Sequence, residues 1–365
     1  MLKSLSQRFG CYLALNLLLT LYFYDFTLGE SSGGVIFRLI LKLLSVVLIL
    51  YGFGFNKRVS LQQFVALLFF GLSSALLFFR GVFLGYNDLQ WLNVVLLVPL
   101  VLVNTSGFFT VRRVFFSSFK MWLLLELYLI IADYHLWENE AFIGGLGNPS
   151  SFGIVSIFFV FIALQERKYL WAIIGIYSLI MTKAMMPFLV FILVAFLSAK
   201  YLYKGALILI ASVSIPVFLT FLEEYSKHLY LKLMGLIQFL SDGQAVNLAS
   251  ISVRLEFLES VSRQFKEPLW VFFGGVDGVN YNYGDSQFVT YLTSFGVILF
   301  AVFVLYILLI LIGIKFWKIR GRSAEFYFLI SLLFLLITNR VLDYWPICLF
   351  FFPAINTVID ENSYS

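Results

Sequence analysis

Charged residues are scarce in this chain. Asp, Glu, Lys and Arg make up only 12% of its 365 residues, whereas 61% are hydrophobic. Soluble domains carry roughly 25% charged and about 45–50% apolar residues, so a soluble cytosolic enzyme is excluded. A membrane-spanning helix takes about 20 apolar residues, and this composition allows about a dozen of them. Too few residues then remain for a separate catalytic domain of about 100 residues. We therefore predict one transmembrane domain over residues 1–365, with any chemistry at helix ends and in loops.

Cysteine and histidine are also rare, with two of each. Cys11 and Cys348 lie in apolar runs near opposite ends of the chain, which argues against a disulfide framework or a zinc cluster. His135 and His228 are far apart in sequence, whereas a metal site needs three or four ligands at compatible spacing. The glycine-rich run 274–278 lacks a nucleotide-binding pattern. We therefore predict no metal and no cofactor.

The hydrophobic runs predict an all-α, polytopic integral membrane protein with about twelve transmembrane helices. The first run follows Lys3 and Arg8, and we interpret it as an uncleaved signal anchor because no clear cleavage site follows it. Residues 169–199 form either one tilted helix or a hairpin that turns at 182–184, and the hairpin is favoured. The spans are predicted at residues 11–28, 35–55, 61–79, 89–109, 114–133, 151–164, 169–182, 184–199, 205–222, 288–313, 324–338 and 345–359.

Lys and Arg are distributed unequally between the two sides that these spans define. The short connectors of one side carry only Arg80, Lys183 and Arg340. By the positive-inside rule the richer side, with both termini, is cytoplasmic. The net charge of +5 therefore reflects membrane topology and does not indicate a nucleic-acid partner. The cations of the richer side are Lys3, Arg8, Lys57, Arg58, Arg112, Arg113, Arg167, Lys168, Lys200, Lys204, Lys315, Lys318, Arg320 and Arg322.

One long connector, residues 223–287, is predicted to be external. Its amphipathic stretch 225–240 would lie along the membrane surface. A second helix is predicted from a cap at Ser250 or Ser252 to about Phe265. A turn-rich segment then begins at Pro268 and ends at Asp285.

Cations on the external side are candidate binding residues, because charges at membrane depth are costly and are commonly functional. Arginine in particular matches the oxygens of a phosphate in a bidentate fork. The group would suit an anionic lipid-linked substrate, although snorkelling at helix ends also accounts for such residues. Its members are Arg80, Lys183, Arg254, Arg263, Lys266 and Arg340, with Arg38 and Lys42 near the outer end of the second span.

The acidic candidates are Asp133, Asp277, Asp285 and Asp343. A transfer to a hydroxyl needs a carboxylate close to the attacking oxygen. Asp285 directly precedes a span and would lie at the membrane mouth, where a helix cap is the alternative explanation. Asp343 is three residues from Arg340, so a local ion pair would account for both side chains as well as a site would.

Three blocks in the second half of the chain share the pattern of one family. They are residues 252–258 with Arg254, residues 268–275, and residues 283–296 with Asp285. Together they resemble the O-antigen polymerases, in which a large periplasmic loop carries an Arg-led helix, a glycine-containing turn and an Asp- or Asn-led start of the next span. The blocks cover residues 252–296, and the rest of the resemblance lies in the layout of spans and loop, including Lys183 in a tight turn.

The resemblance implies a GT-C-like membrane glycosyltransferase in the bacterial inner membrane, with one large periplasmic loop. It would join undecaprenyl-diphosphate-linked oligosaccharide units at the periplasmic face and release undecaprenyl diphosphate. Its partners would be that lipid-linked substrate, membrane lipids and a chain-length regulator. We predict Arg254 and Asp285 as catalytic residues. The predicted substrate- or diphosphate-binding residues are Arg80, Lys183, Arg263, Arg340 and Lys42.

Two other functions fit parts of the sequence. O-antigen ligases have a similar layout, but they typically carry a histidine late in the large loop, whereas His228 lies at its start. A lipid-linked-oligosaccharide flippase or a secondary transporter would also have about twelve spans. Such carriers usually contain internal repeats, and we find no convincing similarity between the two halves of this chain. The polymerase is therefore favoured, and the ligase and the carrier remain alternatives.

Overall fold

The apolar runs of the sequence form helices. The computed structural model describes residues 9–10, 12–14, 16, 32–56, 59–84, 90–103, 108–132, 141–144, 146, 148–199, 219–220, 222–242, 268–274, 286–319 and 322–363. Within these residues the structure is all-helical apart from one isolated antiparallel bridge, Phe55 to Val103. Ten of the twelve predicted spans coincide with helices. The other two, 11–28 and 205–222, lie largely outside the described residues.

The helices are α1 (Ser32–Phe53), α2 (Leu61–Leu84), α3 (Gln90–Val101), α4 (Phe108–Ile131), α5 (Pro149–Gln165), α6 (Tyr169–Met181), α7 (Met185–Ser198), α8 (Lys227–Asp242), α9 (Pro268–Phe273), α10 (Gln287–Gly313), α11 (Ala324–Leu335) and α12 (Trp345–Ser363), with a 3₁₀ helix at Val341–Asp343 between the last two.

Among the helices of the described residues, three are long and apolar enough to cross a membrane, namely α1, α2 and α10. Several others are apolar but shorter, including α5, α6, α7 and α11. These helices make the chain a membrane-embedded protein. Because many of them are apolar around their whole circumference, their packing depends on close fit between side chains more than on a hydrophobic face.

Aromatic stacking and one small residue join the central helices. Phe159 of α5 stacks on Phe119 of α4, with ring centres 4.2 Å apart. Phe158, its neighbour, stacks on Phe328 of α11 at 4.3 Å. Gly175 lets α6 approach α5, since a Cβ atom there would lie 2.7 Å from the Cγ2 atom of Val160. Small residues of this kind permit close backbone approach between membrane helices.

The bundle has two distinct ends. At the first, which we call the basic end, Gln62 donates to the carbonyl of Leu309 and the backbone of Ala324 donates to Gln165. At the second, which we call the junction end, the backbone N–H of Gln287 donates to the carbonyl of Leu336. Helix direction places Arg112, Arg113, Arg167, Lys168, Lys315, Lys318 and Arg322 at the basic end, and Arg80, Lys183 and Arg340 at the junction end. These ten cations therefore divide between the two ends in the grouping predicted from the sequence.

The hairpin predicted for residues 169–199 is present. Helix α6 ends at Met181 and α7 begins at Met185. Lys183 lies in the turn with a φ of 53°, a left-handed conformation that a continuous helix cannot contain. The hydroxyl of Thr182 accepts a hydrogen bond from the backbone of Ala184 and so stabilises the turn.

The long connector contains two described helices. The amphipathic stretch predicted at 225–240 is helix α8. The segment that begins at Pro268 is not only a turn, as predicted, because residues Pro268–Phe273 form the short helix α9. Proline at the first position of a helix is favourable, since its missing N–H would have no partner there. The helix predicted up to about Phe265 lies outside the described residues.

Candidate functional site at the junction end

The short helix α9 ends against a break in α10. At Gly296 the φ of 74° and ψ of 179° are not helical, so α10 consists of two helical segments. Gly274 follows α9 with a φ of 68°. A Cβ atom on Gly274 would lie 2.4 Å from the backbone nitrogen of Gly296, and one on Gly296 would lie 2.4 Å from the carbonyl oxygen of Phe272. The two glycines therefore bring two backbones together where no side chain fits.

Arg80 of α2 holds these two backbones together. One of its terminal nitrogens donates to the carbonyl of Ser294 over 2.6 Å, and the other donates to the carbonyl of Phe273. Both acceptors lie in the last turn of a helical segment, where carbonyls lack partners within the helix. A cation at a helix C-terminus is also favoured by the helix dipole. We call Arg80, Gly274, Gly296 and the two carbonyls the junction.

An aromatic cluster lies beneath the junction and orients α10 against α2. Phe69 contacts the rings of Tyr291, Phe295 and Phe303 at centre distances of 5.1, 5.8 and 5.1 Å. Tyr291 and Phe295 are each 1% exposed. The two segments of α10 thus pack on the same α2 ring, Phe69, from either side of the break.

A second group of polar residues lies around Lys42 of α1. Its ammonium donates to the Asn93 side chain of α3 over 2.9 Å and lies 5.5 Å from the ring centre of Trp345. Lys42 is only 8% exposed. The charges of Asp343 and Arg38 act on it. Four helical segments therefore meet at one buried ammonium group.

Arg340 is joined to this group through Asp343. Its Nε donates to the Oδ2 of Asp343 over 2.5 Å, so the local ion pair predicted from their spacing is present. We call Lys42, Asn93, Arg340, Asp343 and Trp345 the Lys42 cluster. It holds two cations against one carboxylate, which gives it an excess of positive charge suited to an anion.

Gln287 connects α10 to the Lys42 cluster. Its side-chain oxygen accepts from the backbone N–H of Leu342 over 2.9 Å, next to Asp343 in the 3₁₀ helix. Gln287 is fully buried, and its amide nitrogen has no hydrogen-bond partner among the described residues. Such an unsatisfied buried donor is costly and is unusual in a native structure. Sequence reasoning missed Gln287, although its place two residues after Asp285 was a signal.

Lys183 and Glu126 belong to another part of the junction end. Lys183 is 9% exposed in the α6–α7 turn. Glu126 of α4 is 5% exposed and accepts hydrogen bonds from the backbone N–H groups of Ile143 and Gly144. Phe142 of the same loop donates its backbone N–H to the carbonyl of Met181, beside Lys183. Glu126 was not among the predicted acidic candidates, although a carboxylate inside a predicted span is a signal in itself.

The predicted site residues thus fall into three sets. Lys42 and Arg340 are brought together through Asp343, whereas Arg80 and Lys183 lie at the same end but are held by other helices. Arg254, Arg263 and Asp285 lie outside the described residues, as do Asp133, Lys266 and Asp277. Within the described part of the chain, no three His, Cys, Asp or Glu residues form a group that would hold a metal ion.

The chain matches no family model, and comparisons with curated proteins and with solved structures find no match either. The sequence blocks and the geometry of the junction end are therefore what supports a function.

Proposed function

We propose that this protein polymerises undecaprenyl-diphosphate-linked oligosaccharide units into O-antigen or a related surface polysaccharide. The reaction would take place at the periplasmic face of the bacterial inner membrane, with the junction end on that side and both termini in the cytoplasm. The fold would be GT-C-like, with about twelve spans and the 223–287 connector in the periplasm.

The observation that carries the proposal is the contact between Gly274 and Gly296. These glycines lie at the ends of two of the three sequence blocks that resemble O-antigen polymerases. The resemblance rests on the residue pattern of the blocks, so the contact between the glycines is a separate observation. Their meeting makes the 268–274 and 287–296 segments one structural unit. Lys42 and Arg340 lie at the same end of the bundle. This arrangement supports a site for an anionic, lipid-linked substrate there.

The proposed reaction transfers a growing glycan from its diphosphate to a hydroxyl. The bond between the anomeric carbon and the diphosphate oxygen breaks, and a bond to the hydroxyl oxygen of the incoming unit forms. The hydroxyl proton passes to a base, for which Asp285 is the candidate. Negative charge develops on the departing diphosphate, and preorganised cations stabilise it. We assign this role to Arg254, with support from Arg263, Lys183 and the Lys42 cluster.

Arg80 has a different role in this proposal. Two of its guanidinium nitrogens donate to backbone carbonyls. Those N–H groups are therefore not available to a phosphate. We therefore reassign Arg80 from a diphosphate ligand to a residue that positions the end of the periplasmic connector.

The surface polysaccharide of a strain that lacks this gene tests the proposal. Complementation with the wild type is expected to restore a ladder of polymer on a silver-stained gel, and the deletion strain is expected to show core plus a single repeat unit. If the deletion removes even the single unit, the polymerase is excluded, and a ligase or a flippase takes its place.

Replacing Arg254 by alanine is expected to abolish the ladder while the protein stays folded and inserted, because the departing diphosphate loses its main counter-charge. Arg254→Lys should restore only part of the polymer, since lysine lacks the planar fork of arginine. Lys227→Ala is the matched control, because it removes an exposed cation from the same connector. A normal ladder from a strain carrying Arg254→Ala would remove this residue from the site.

A carrier for lipid-linked oligosaccharides is the second candidate, and the break in α10 favours it. Carriers commonly build their binding sites where a membrane helix is interrupted, and α10 is interrupted at Gly296. The single-unit phenotype separates the two functions. A strain without a carrier has no repeat unit at the periplasmic face, so its core stays bare. A strain without a polymerase still attaches one repeat unit to the core.

A further inference from the structure

Two lysines at the basic end share one aromatic ring. The ammonium of Lys120, on α4, lies 4.7 Å from the ring centre of Phe116 and 4.2 Å from that of Trp171. The ammonium of Lys168, just before α6, lies 4.6 Å from the same Phe116 ring. Cations are attracted to ring faces, but two like charges at one ring repel each other. Their convergence concentrates positive charge at one point of the surface.

Among the residues that the structure describes, the carboxylate of Glu166 lies nearby and does not balance this charge. Glu166 pairs with Lys168, with a nitrogen–oxygen distance of 2.6 Å. The charges of Lys168 and Glu166 both act on Lys120. Arg113 is exposed and lies two helical turns before Lys120 on the same face of α4. The surface formed by Arg113, Lys120, Glu166 and Lys168 thus has an excess of positive charge.

An exposed apolar stripe leads from these lysines along α6. Leu170 and Ile173 are 68% and 65% exposed, and Tyr177 is 44% exposed. Their spacing of three and four residues puts them on one face of the helix. In a membrane-embedded protein such a face contacts the hydrocarbon of the bilayer. The cations lie at its beginning, at the level where lipid headgroups meet water.

Lys120 reaches this level because of the direction of its helix. Side chains of an α-helix lean towards its N-terminus, and the N-terminus of α4 is at the basic end. The side chain therefore carries its ammonium from within the helix towards the interface, as lysines near membrane surfaces commonly do. Trp171 borders the group, and tryptophan is one of the residues enriched at that interface.

We propose that Lys120 and Lys168 bind the phosphate of an anionic phospholipid headgroup, with the acyl chains along Leu170, Ile173 and Tyr177. The site belongs to the basic end and is independent of the polymerase proposed at the junction end. It would couple the α4–α6 packing to the anionic lipid content of the membrane, since basic groups near a membrane surface attract anionic lipids.

Native mass spectrometry of the purified chain with added lipid tests this site. Wild-type protein is expected to bind phosphatidylglycerol about thirtyfold more tightly than phosphatidylcholine. The double variant Lys120→Gln/Lys168→Gln should weaken the binding of phosphatidylglycerol about thirtyfold and so remove its preference over phosphatidylcholine. Lys318→Gln/Arg322→Gln is the matched control, because it removes two charges from the same end, where Arg322 also lies over a ring, that of Phe326. This control is expected to keep wild-type affinity.

With the wild type and the glutamine variants, three results would overturn the proposal. The first is equal affinity of the wild type for the two lipids, and the second is the same loss of affinity in the control as in the lysine variant. The third is displacement of phosphatidylglycerol by inorganic phosphate at similar concentration, which would make this a site for the free anion. Should the glutamine variant fail to fold, Lys120→Arg/Lys168→Arg keeps both charges and is expected to retain the preference, and its loss would contradict the proposal.

Discussion

Replacing Gly296 by alanine is expected to lower the free energy of unfolding by about 3 kcal/mol or more. A methyl group there would lie 2.4 Å from the carbonyl oxygen of Phe272 and 2.5 Å from the backbone nitrogen of Gly274. Neither atom belongs to a flexible side chain, so the backbones would have to separate. The φ of 74° and ψ of 179° also place Gly296 in a region that is essentially restricted to glycine. Thermal unfolding of the purified protein in detergent measures the effect.

Gly71→Ala is the matched control for this prediction. Gly71 is a helical glycine of α2, and a Cβ atom added there would have no neighbouring atom within 4 Å. Alanine is intrinsically better in a helix than glycine, so Gly71→Ala should leave stability unchanged or raise it. Equal thermal midpoints for the Gly296 variant and the wild type would mean that α9 does not pack into the break. Gly274→Ala should behave as Gly296→Ala does, and the two effects should not add, because either change separates the same backbones.

The positions of the helices could be predicted because apolar runs leave few other structures open to the backbone. In a membrane every backbone N–H and C=O must be paired within the protein, and helices do this locally. Ten described helices therefore overlap predicted spans, even where charges interrupt them, although α3 ends at Val101 instead of 109 and α4 begins at Phe108 instead of 114. Helix α4 contains Arg112, Lys120 and Glu126, yet it continues to Ile131, because each of these charges finds a partner on a neighbouring helix or loop.

The break in α10 could not be predicted in the same way. Residues 288–313 form one continuous apolar run, and a single glycine within such a run is tolerated in a straight helix. What distinguishes Gly296 is its contact with Gly274, a residue of another segment. The two hydrogen-bond partners of Arg80 could not be predicted either, because every residue has a backbone carbonyl and the sequence does not show which ones are contacted. An arginine on the external side suggested a ligand for phosphate, whereas the geometry indicates that Arg80 joins two helix ends by hydrogen bonds.

The contacts of the Lys42 cluster could be predicted from the sequence only in part. The pairing of Arg340 with Asp343 was readable from their spacing of three residues. The approach of Lys42 to Asp343 joins α1 to the turn before α12, and long-range contacts of that kind depend on how the helices pack. The predicted connector cations Arg80, Lys183 and Arg340 nevertheless share one end of the bundle, because the charge asymmetry of the connectors is itself a property of the sequence.

Removing Arg112 is the other change with a large expected effect. Arg112 of α4 and Glu325 of α11 form an ion pair at 3.3 Å, with only 8% and 2% of their side chains exposed. Arg112 also donates to Gln165 of α5 over 2.7 Å. Three helices are therefore joined at one guanidinium group. Arg112→Ala leaves the carboxylate of Glu325 buried without this partner, and breaking a buried pair in this way costs about 3–5 kcal/mol.

Thermal unfolding of single and double variants separates the ion pair from mere loss of side-chain packing. Arg113→Ala is the matched control, because the adjacent arginine is exposed and its removal should change stability by less than about 0.5 kcal/mol. The double variant Arg112→Leu/Glu325→Leu should be more stable than Arg112→Ala, since apolar residues can replace a buried pair at little cost. If the double variant is as unstable as Arg112→Ala, the loss comes from the hydrogen bond to Gln165. The pair would then contribute little, and the amide of Gln165, which also accepts from the backbone of Ala324, would be the group that joins the three helices.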